Sequence, residues 1–312
     1  GITGHLLMEP LGRSVRHIVE TGQYMEPLTV VIALITAGLA IKSAMFPFHA
    51  WAPDTYAFAP PMSSAILSGL IGKAYIFLLI KFFYRVIGLD VIVGTNVDSV
   101  LFVCGVSGML MGSVLAISQR DIRRMVAYSS VSQIGYIYMG LGMGTEAGVA
   151  AALFQMLAHA AAKSLLFLST NELVSVSGDR KRFHYLHGAG YRNPVAGVVF
   201  TVGAMSLVGI PFTGGFVAKL YLATAGMPLG GWVRALVLVA LAVSTLLNAV
   251  YYLHTVVSIY RRAPAEIDYP PSHRVPRHAA AALLISMLMT VYLGIGSGPI
   301  MRVIESGLKM FA

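Results

Sequence analysis

The sequence predicts an all-α, polytopic membrane protein with about eight transmembrane helices. Three observations predict it. Of 312 residues, 57% are hydrophobic and only 11% are charged. The apolar residues come in long uninterrupted runs rather than at amphipathic spacing, and nearly all charges fall between those runs. That composition belongs to chains whose solvent is lipid. The excess of 22 Lys and Arg over 13 Asp and Glu gives net +9, but no basic patch is interleaved with aromatics, so no nucleic-acid partner is expected. A membrane origin explains the bias better. Cys104, the single cysteine, sits in an apolar run and can build neither a disulfide framework nor a metal site.

Along the chain, residues 1–27 hold no apolar run long enough to cross a bilayer, and GITGHLLMEP lacks the basic stretch of a signal peptide. With Gly at position 1, a processed product or a fragment is expected. Residues 4–20 read as an interfacial amphipathic helix, with Leu7, Leu11, Val15 and Ile18 on one side and Arg13, Arg16 and His17 on the other. Eight mostly apolar segments of about 18 or more residues follow, at roughly 28–48, 62–87, 99–118, 125–143, 147–170, 194–224, 231–260 and 278–298.

Two of these spans are predicted to be broken helices. The sixth covers about 31 residues, which as a straight helix would be roughly 46 Å long, well beyond a hydrocarbon core of about 30 Å. Its middle, GIPFTGG, carries Gly209, Pro211, Gly214 and Gly215, and Pro211 removes a backbone donor. The first span has a similar form, an apolar run followed by Lys42 and then FPFHAWAP with Pro47 and Pro53. Paired broken helices point to a transport site built from repeats.

Basic residues set the orientation. The loops after the first, third, fifth and seventh spans hold Arg120, Arg123, Arg124, Arg180, Lys181, Arg182, Arg192, Arg261, Arg262, Arg274 and Arg277. The N-terminal segment, the remaining loops and the C-terminus hold fewer, so the first set is expected on the cytoplasmic side. Four lysines remain, Lys42, Lys73, Lys163 and Lys219, all within apolar segments. The carboxylates, Asp268 among them, fall in loops or at span ends, so the predicted interior holds cations without anions.

One lysine at a helix centre costs roughly 2.5–3.5 kcal/mol, so four facing lipid while charged would cost about 10–14 kcal/mol. Three routes reduce that cost: snorkelling to the interface, pairing with a carboxylate, or losing the proton. Arginine lacks the last route, because a guanidinium stays charged. Each site also has a structural reading. Lys163 could snorkel, carbonyls freed at the breaks could hold Lys42 and Lys219, and His159, one turn before Lys163, could be a hydrogen-bonded packing residue. Tyr128, Ser129, Ser130, Ser132 and Gln133 form a polar stripe that either binds water along a proton path or ties helices together. No metal-ligating cluster, GxGxxG after a strand, or flavin or nucleotide motif is present, so no cofactor and no catalytic chemistry of the chain's own are expected.

Five segments then carry a resemblance: KSAMFPFHAWAPDTY (42–56), APPMSSAILSGLIGKAYIFLL (59–79), QRDIRRMVAYSSVSQIGY (119–136), HAAAKSLLFL (159–168) and SLVGIPFTGGFVAKLYL (206–222). In this order they closely resemble the antiporter-like membrane subunits of respiratory complex I, of membrane-bound hydrogenases and of Mrp-type cation/proton antiporters. The resemblance implies a fold of two inverted five-helix repeats joined by a hydrated polar axis. It also implies proton-translocation roles for Lys42, Lys73, His159, Lys163 and Lys219, with Tyr128, Ser130 and Ser132 as a hydrated path. Some members carry Glu at the Lys219 position. In the family the first lysine pairs with a glutamate on an earlier helix, and this chain lacks the first six or so helices. A C-terminal fragment, or a partner supplying those helices, is therefore expected.

The expected organisation is an interfacial segment over 1–27, the end of the first repeat over 28–98, the second repeat over 99–260, and a cytoplasmic loop, last helix and tail over 261–312. The expected function is proton translocation as a membrane subunit of a redox-driven complex, in a bacterial cytoplasmic or organellar inner membrane. The alternatives are an Mrp-type Na⁺/H⁺ antiporter subunit and a structural scaffold.

Overall fold

The computed structural model describes residues 3–264, 266, 267, 269 and 276–311. Arg274 and Asp268 lie outside the described residues. No strand occurs among the described residues, and the chain is a packed set of helices. Helix α1 spans Met8–Thr21, α2 Met25–Lys42, α3 Trp51–Phe58, α4 Pro61–Ile87, α5 Leu89–Gly94, α6 Val97–Ile117, α7 Ile122–Leu141 and α8 Glu146–Ser175. A 3₁₀ turn at Phe183–Leu186 leads to α9 Ala189–Arg192, α10 Pro194–Val208, α11 Gly214–Gly226, α12 Gly231–Tyr260, α13 Arg277–Ile295 and α14 Ser297–Phe311.

Side chains start several of these helices. Asp121 accepts from the Arg123 and Arg124 amides at the head of α7, Thr145 from the Gly148 amide at α8, and Asn193 from the Ala196 amide at α10, where Pro194 takes the first helical position. Each cap satisfies a backbone donor that the first turn leaves open.

Five described helices, α2, α4, α6, α8 and α12, are by themselves long and apolar enough to cross a bilayer, and the bent pair α13–α14 makes a sixth. The count of eight is not matched, for three physical reasons. The polar stripe of α7 lowers its hydropathy, although it is the most enclosed helix and buries nearly all its side chains. The sixth predicted span is divided into α10 and α11 by a break at 209–213. The eighth ends at Ile295, and α14 turns 80° away from it, where sequence suggested only a tail.

Helices α6 and α7 meet backbone to backbone. A Cβ on Gly112 would lie 2.4 Å from the Ser132 amide nitrogen, and one on Gly135 would lie 2.4 Å from that of Met109. Small residues permit such approach in membranes, where packing rather than the hydrophobic effect holds helices together.

The basic loops gather at one end. The Phe183 amide donates to the Arg120 carbonyl at 3.2 Å and the Ile122 amide to that of Lys181 at 3.0 Å. Arg124 pairs with Asp54 at 2.7 Å. Helix α1 packs Gly12, Val15 and Ile18 inward, with Arg13, Arg16 and His17 exposed. It lies against the turn at Phe83–Ile87, where a Cβ on Gly12 would be 2.6 Å from the Arg85 carbonyl oxygen. Leu7 departs from the expected apolar face: it precedes the helix and is 74% exposed.

Candidate functional site

Three of the four lysines are held within the protein, on three different helices. Lys73 sits on α4, just after a π-helical turn at Leu67–Ile71. There the Gly72 amide reaches back to the Leu67 carbonyl, so the Ser68 carbonyl, which an uninterrupted α-helix would pair with it, is open to the Lys73 ammonium. Such π turns recur where a helix serves a function. Lys73 is 6% exposed.

Lys163, fully buried on α8, has a partner for each of its donors. Its Nζ donates to the Val126 carbonyl at 2.7 Å, to Ser129 Oγ, and over 3.5 Å to Tyr252 Oη. Ser129 and Tyr252 are themselves 2.8 Å apart. A route runs back towards Lys73, because Ser130 Oγ lies 2.9 Å from Ser68 Oγ and also donates to the Val126 carbonyl at 3.3 Å.

Lys219, on α11, occupies the break. Helix α10 ends at Gly209, whose φ of +98° suits a residue without a Cβ. Pro211 follows within the break, and Gly214 and Gly215 open α11. Lys219 Nζ donates to the Leu207 and Val208 carbonyls at 3.0 and 2.7 Å and to Thr245 Oγ1 at 3.0 Å. It also lies 5.3 Å from the centre of the Tyr136 ring. A cation at a helix C-terminus meets the negative end of the helix dipole.

Between Lys163 and Lys219 stand groups that the sequence reading did not single out. The Tyr251 and Tyr252 rings are 4.6 Å apart. Tyr251 Oη donates to Asn248 Oδ1 at 2.6 Å. The Asn248 amide approaches Tyr136 Oη at 3.3 Å and the Leu207 carbonyl at 3.5 Å, and Leu207 is already a partner of Lys219. Ser113 joins Asn248 at 3.1 Å and Ser132 at 2.9 Å. Ser244, Asn248 and Tyr252 recur every four residues along α12, a polar stripe visible in the sequence; Ser68 has only Ser64 one turn before it, and Ser113 has no such signal.

Two expected residues do not join this arrangement. Lys42 ends α2 and is exposed on this chain's surface, because the helix stops there and the chain turns through Pro47 into α3. Tyr128 is half-buried among apolar side chains, since its position on α7 faces away from the α8 and α12 contacts made by Ser129. His159 is fully buried, and neither ring nitrogen has a partner among the described residues. One turn before it, Gln155 donates to Gln133 Oε1 at 2.8 Å.

Residues 2–248 match the family described as NADH:quinone oxidoreductase/Mrp antiporter, TM. A curated relative, NADH-quinone oxidoreductase subunit N of Desulforudis audaxviator (strain MP104C), is 36% identical over 284 residues, covering 87% of this chain and 54% of the relative. Among solved structures, the Mrp complex from Dietzia sp. DQ12-45-1b has a chain superposing with TM-score 0.84 at 26% identity, covering 99% of this chain and 62% of that one. Respiratory complex I from Thermus thermophilus, with bound aureothin, has one at TM-score 0.66 and 26% identity, covering 88% of this chain and 58% of that one. This chain thus spans between half and two thirds of the length of each of these three proteins. An integral, multi-pass membrane protein, it belongs to the NADH:quinone oxidoreductase/Mrp antiporter transmembrane family.

Proposed function

We propose that the chain moves protons across the membrane as one subunit of a multisubunit, redox-driven complex, with Lys73, Lys163 and Lys219 as the groups that gain and lose the proton. The observation that carries this reading is the placement of Lys163. A fully buried amine has its donors filled by a carbonyl, a serine and a tyrosine, and polar side chains extend from it towards a lysine on either side. A structural cation has no need of such continuations. Within a low-dielectric interior, protonating one amine disfavours protonating the next by Coulomb repulsion, so a proton arriving at one site promotes departure from its neighbour.

His159, one turn from Lys163, belongs to the same relay, as do Ser130 and Ser132. Residues 99–260 act as the second repeat, and 28–98 as the end of the first. Lys42 then meets an anion on a neighbouring helix or subunit, which suits its exposure on this chain. The decisive experiment reconstitutes the chain with its partner subunits in sealed vesicles and compares proton flux with Lys163→Ala. Normal flux in that variant would sink the relay.

A second reading, Na⁺/H⁺ exchange in an Mrp-type assembly, is favoured by the higher TM-score and fuller coverage of the Mrp neighbour. It requires sodium-dependent flux with no quinone or hydrogenase partner. A scaffold would give no flux of either kind.

A further inference from the structure

One exposed stripe of α12 changes from apolar to basic along its length. At 100° per residue, Val243, Leu246, Val250, His254, Val257 and Arg261 fall within an arc of roughly 80°. All six are exposed, Val250 by 54% and Val257 by 65%. The first three positions are hydrocarbon, and the last three add His254 and Arg261 around Val257.

The 3₁₀ turn at Phe183–Leu186 adds cations to that end. It packs on α12, with the Phe183 ring 5.6 Å from that of His254. His184 is exposed, and its ring lies 5.7 Å from that of His187. The charged groups acting on half-buried His187 are Arg261, His184 and His254, with no carboxylate among them. Among the described residues neither Arg261 nor Arg262 forms an ion pair. Like charges crowded in this way are relieved by an anion.

We propose that this face of α12 binds an anionic phospholipid, with its phosphodiester among His184, His254 and Arg261 and an acyl chain along Val257 and Val250. Continuity between the basic cluster and the apolar stripe selects that occupant. From Arg261 to Val250 the helix rises about 16 Å, close to half of a hydrocarbon core of about 30 Å. A chain hung from the cluster therefore follows the stripe to mid-membrane. Free phosphate or an acidic peptide would answer the charge and leave the stripe bare. A zwitterionic lipid would bring a further cation into the cluster. Basic pockets at the ends of membrane helices hold anionic headgroups in the same manner. Binding stands independently of proton transport.

The test uses the full chain in its purified complex, in detergent, with a phosphatidylglycerol carrying a diazirine at the end of one acyl chain. Illumination followed by peptide mass spectrometry should place the label on α12 between Leu246 and Val257. Unlabelled phosphatidylglycerol should compete at least about ten-fold better than phosphatidylcholine with the same chains, and inorganic phosphate should not compete. Arg261→Gln should reduce that preference about five-fold, and Arg261→Gln combined with His254→Gln should remove it. If the double variant melts early, the single one decides. Arg234→Gln, at the opposite end of α12 and also exposed, should leave labelling unchanged. An unlabelled α12 would mean that a partner subunit covers the face and would overturn the proposal. So would equal competition by phosphatidylcholine, displacement by phosphate, or an undiminished preference in Arg261→Gln. Because the readout is labelling, its failure would leave the proton-flux test of Lys163→Ala untouched.

Discussion

Lys219 Nζ reaches across the helix break to within 2.7 Å of the Val208 carbonyl oxygen, so the cation on α11 completes the C-terminal end of α10. Pro211 and the left-handed Gly209 end the helix and leave its last carbonyls without amide partners. The lysine answers that deficit with two hydrogen bonds, to the Leu207 and Val208 carbonyls, and places its third on Thr245 Oγ1. Its structural and proposed functional roles therefore share one set of contacts.

Lys219→Ala should be both destabilised and inactive. Losing the donors to the Leu207 and Val208 carbonyls should cost about 1–3 kcal/mol, read as a lower thermal midpoint in detergent. Lys219→Gln separates the two roles, since its amide still donates but does not titrate. It should recover part of the lost stability while flux in vesicles stays absent. Full flux in the glutamine variant would remove Lys219 from the relay.

Lys163→Arg should fail to restore what Lys163→Ala loses, because a guanidinium holds its proton and its planar fork does not fit a site built for an ammonium. Tyr252→Phe is milder. It removes the hydroxyl shared by Ser129 and Lys163 and keeps the ring packing against Tyr251, so flux should fall several-fold with assembly intact. Stopped-flow pH-dye measurements on matched vesicles would check both variants.

What the sequence disclosed and what it hid follow from the range of the interactions. The break at GIPFTGG was legible because Pro and Gly act on the local backbone, and the twelfth helix was legible over Gly231–Tyr260 because an unbroken apolar run leaves no other reading. The π turn before Lys73 was not legible, since LSGLI carries no local signal for a wider turn. The exposure of Lys42 was hidden as well: an apolar run shows that a residue lies at membrane depth, whereas the neighbours in space decide whether it faces protein. Ser129 and Tyr128 are adjacent in sequence, yet only the first meets Lys163, because 100° of helical rotation separates them and the position of α8 and α12 selects between them.

Gly215→Ala should be among the most damaging small substitutions. Its Cβ would stand 1.9 Å from the Ser206 carbonyl oxygen, a backbone atom that does not yield as a side chain does. Overpacking of this kind costs about 1–3 kcal/mol, and it would part α11 from α10 at the break. Gly298→Ala is the control, because nothing lies within 4 Å of its Cβ and alanine suits a helix better. Thermal melts in one detergent should show a clear loss for the first and no loss for the second.

The end that gathers the basic loops should weaken on acidification. His187, in the turn after Phe183–Leu186, has its pKa lowered by burial first and then by the nearby positive charge of Arg261, His184 and His254. Its ring lies 5.7 Å from that of His184. The folded state therefore binds fewer protons than the unfolded chain, and its stabilisation is complete above the ordinary histidine value of about 6.5. It is lost as pH falls through that value towards the lowered folded one. Unfolding this loop should free its backbone for trypsin at Lys181 and at Arg182, whose side chain is already exposed, so cleavage there in detergent, relative to that of an unstructured peptide digested at the same pH, should rise as pH drops from about 7.5 to 5.5. In His187→Gln the acceleration should shrink, since glutamine carries no charge at either pH. An unchanged pH dependence in that variant would assign the effect to His184 or His254 instead.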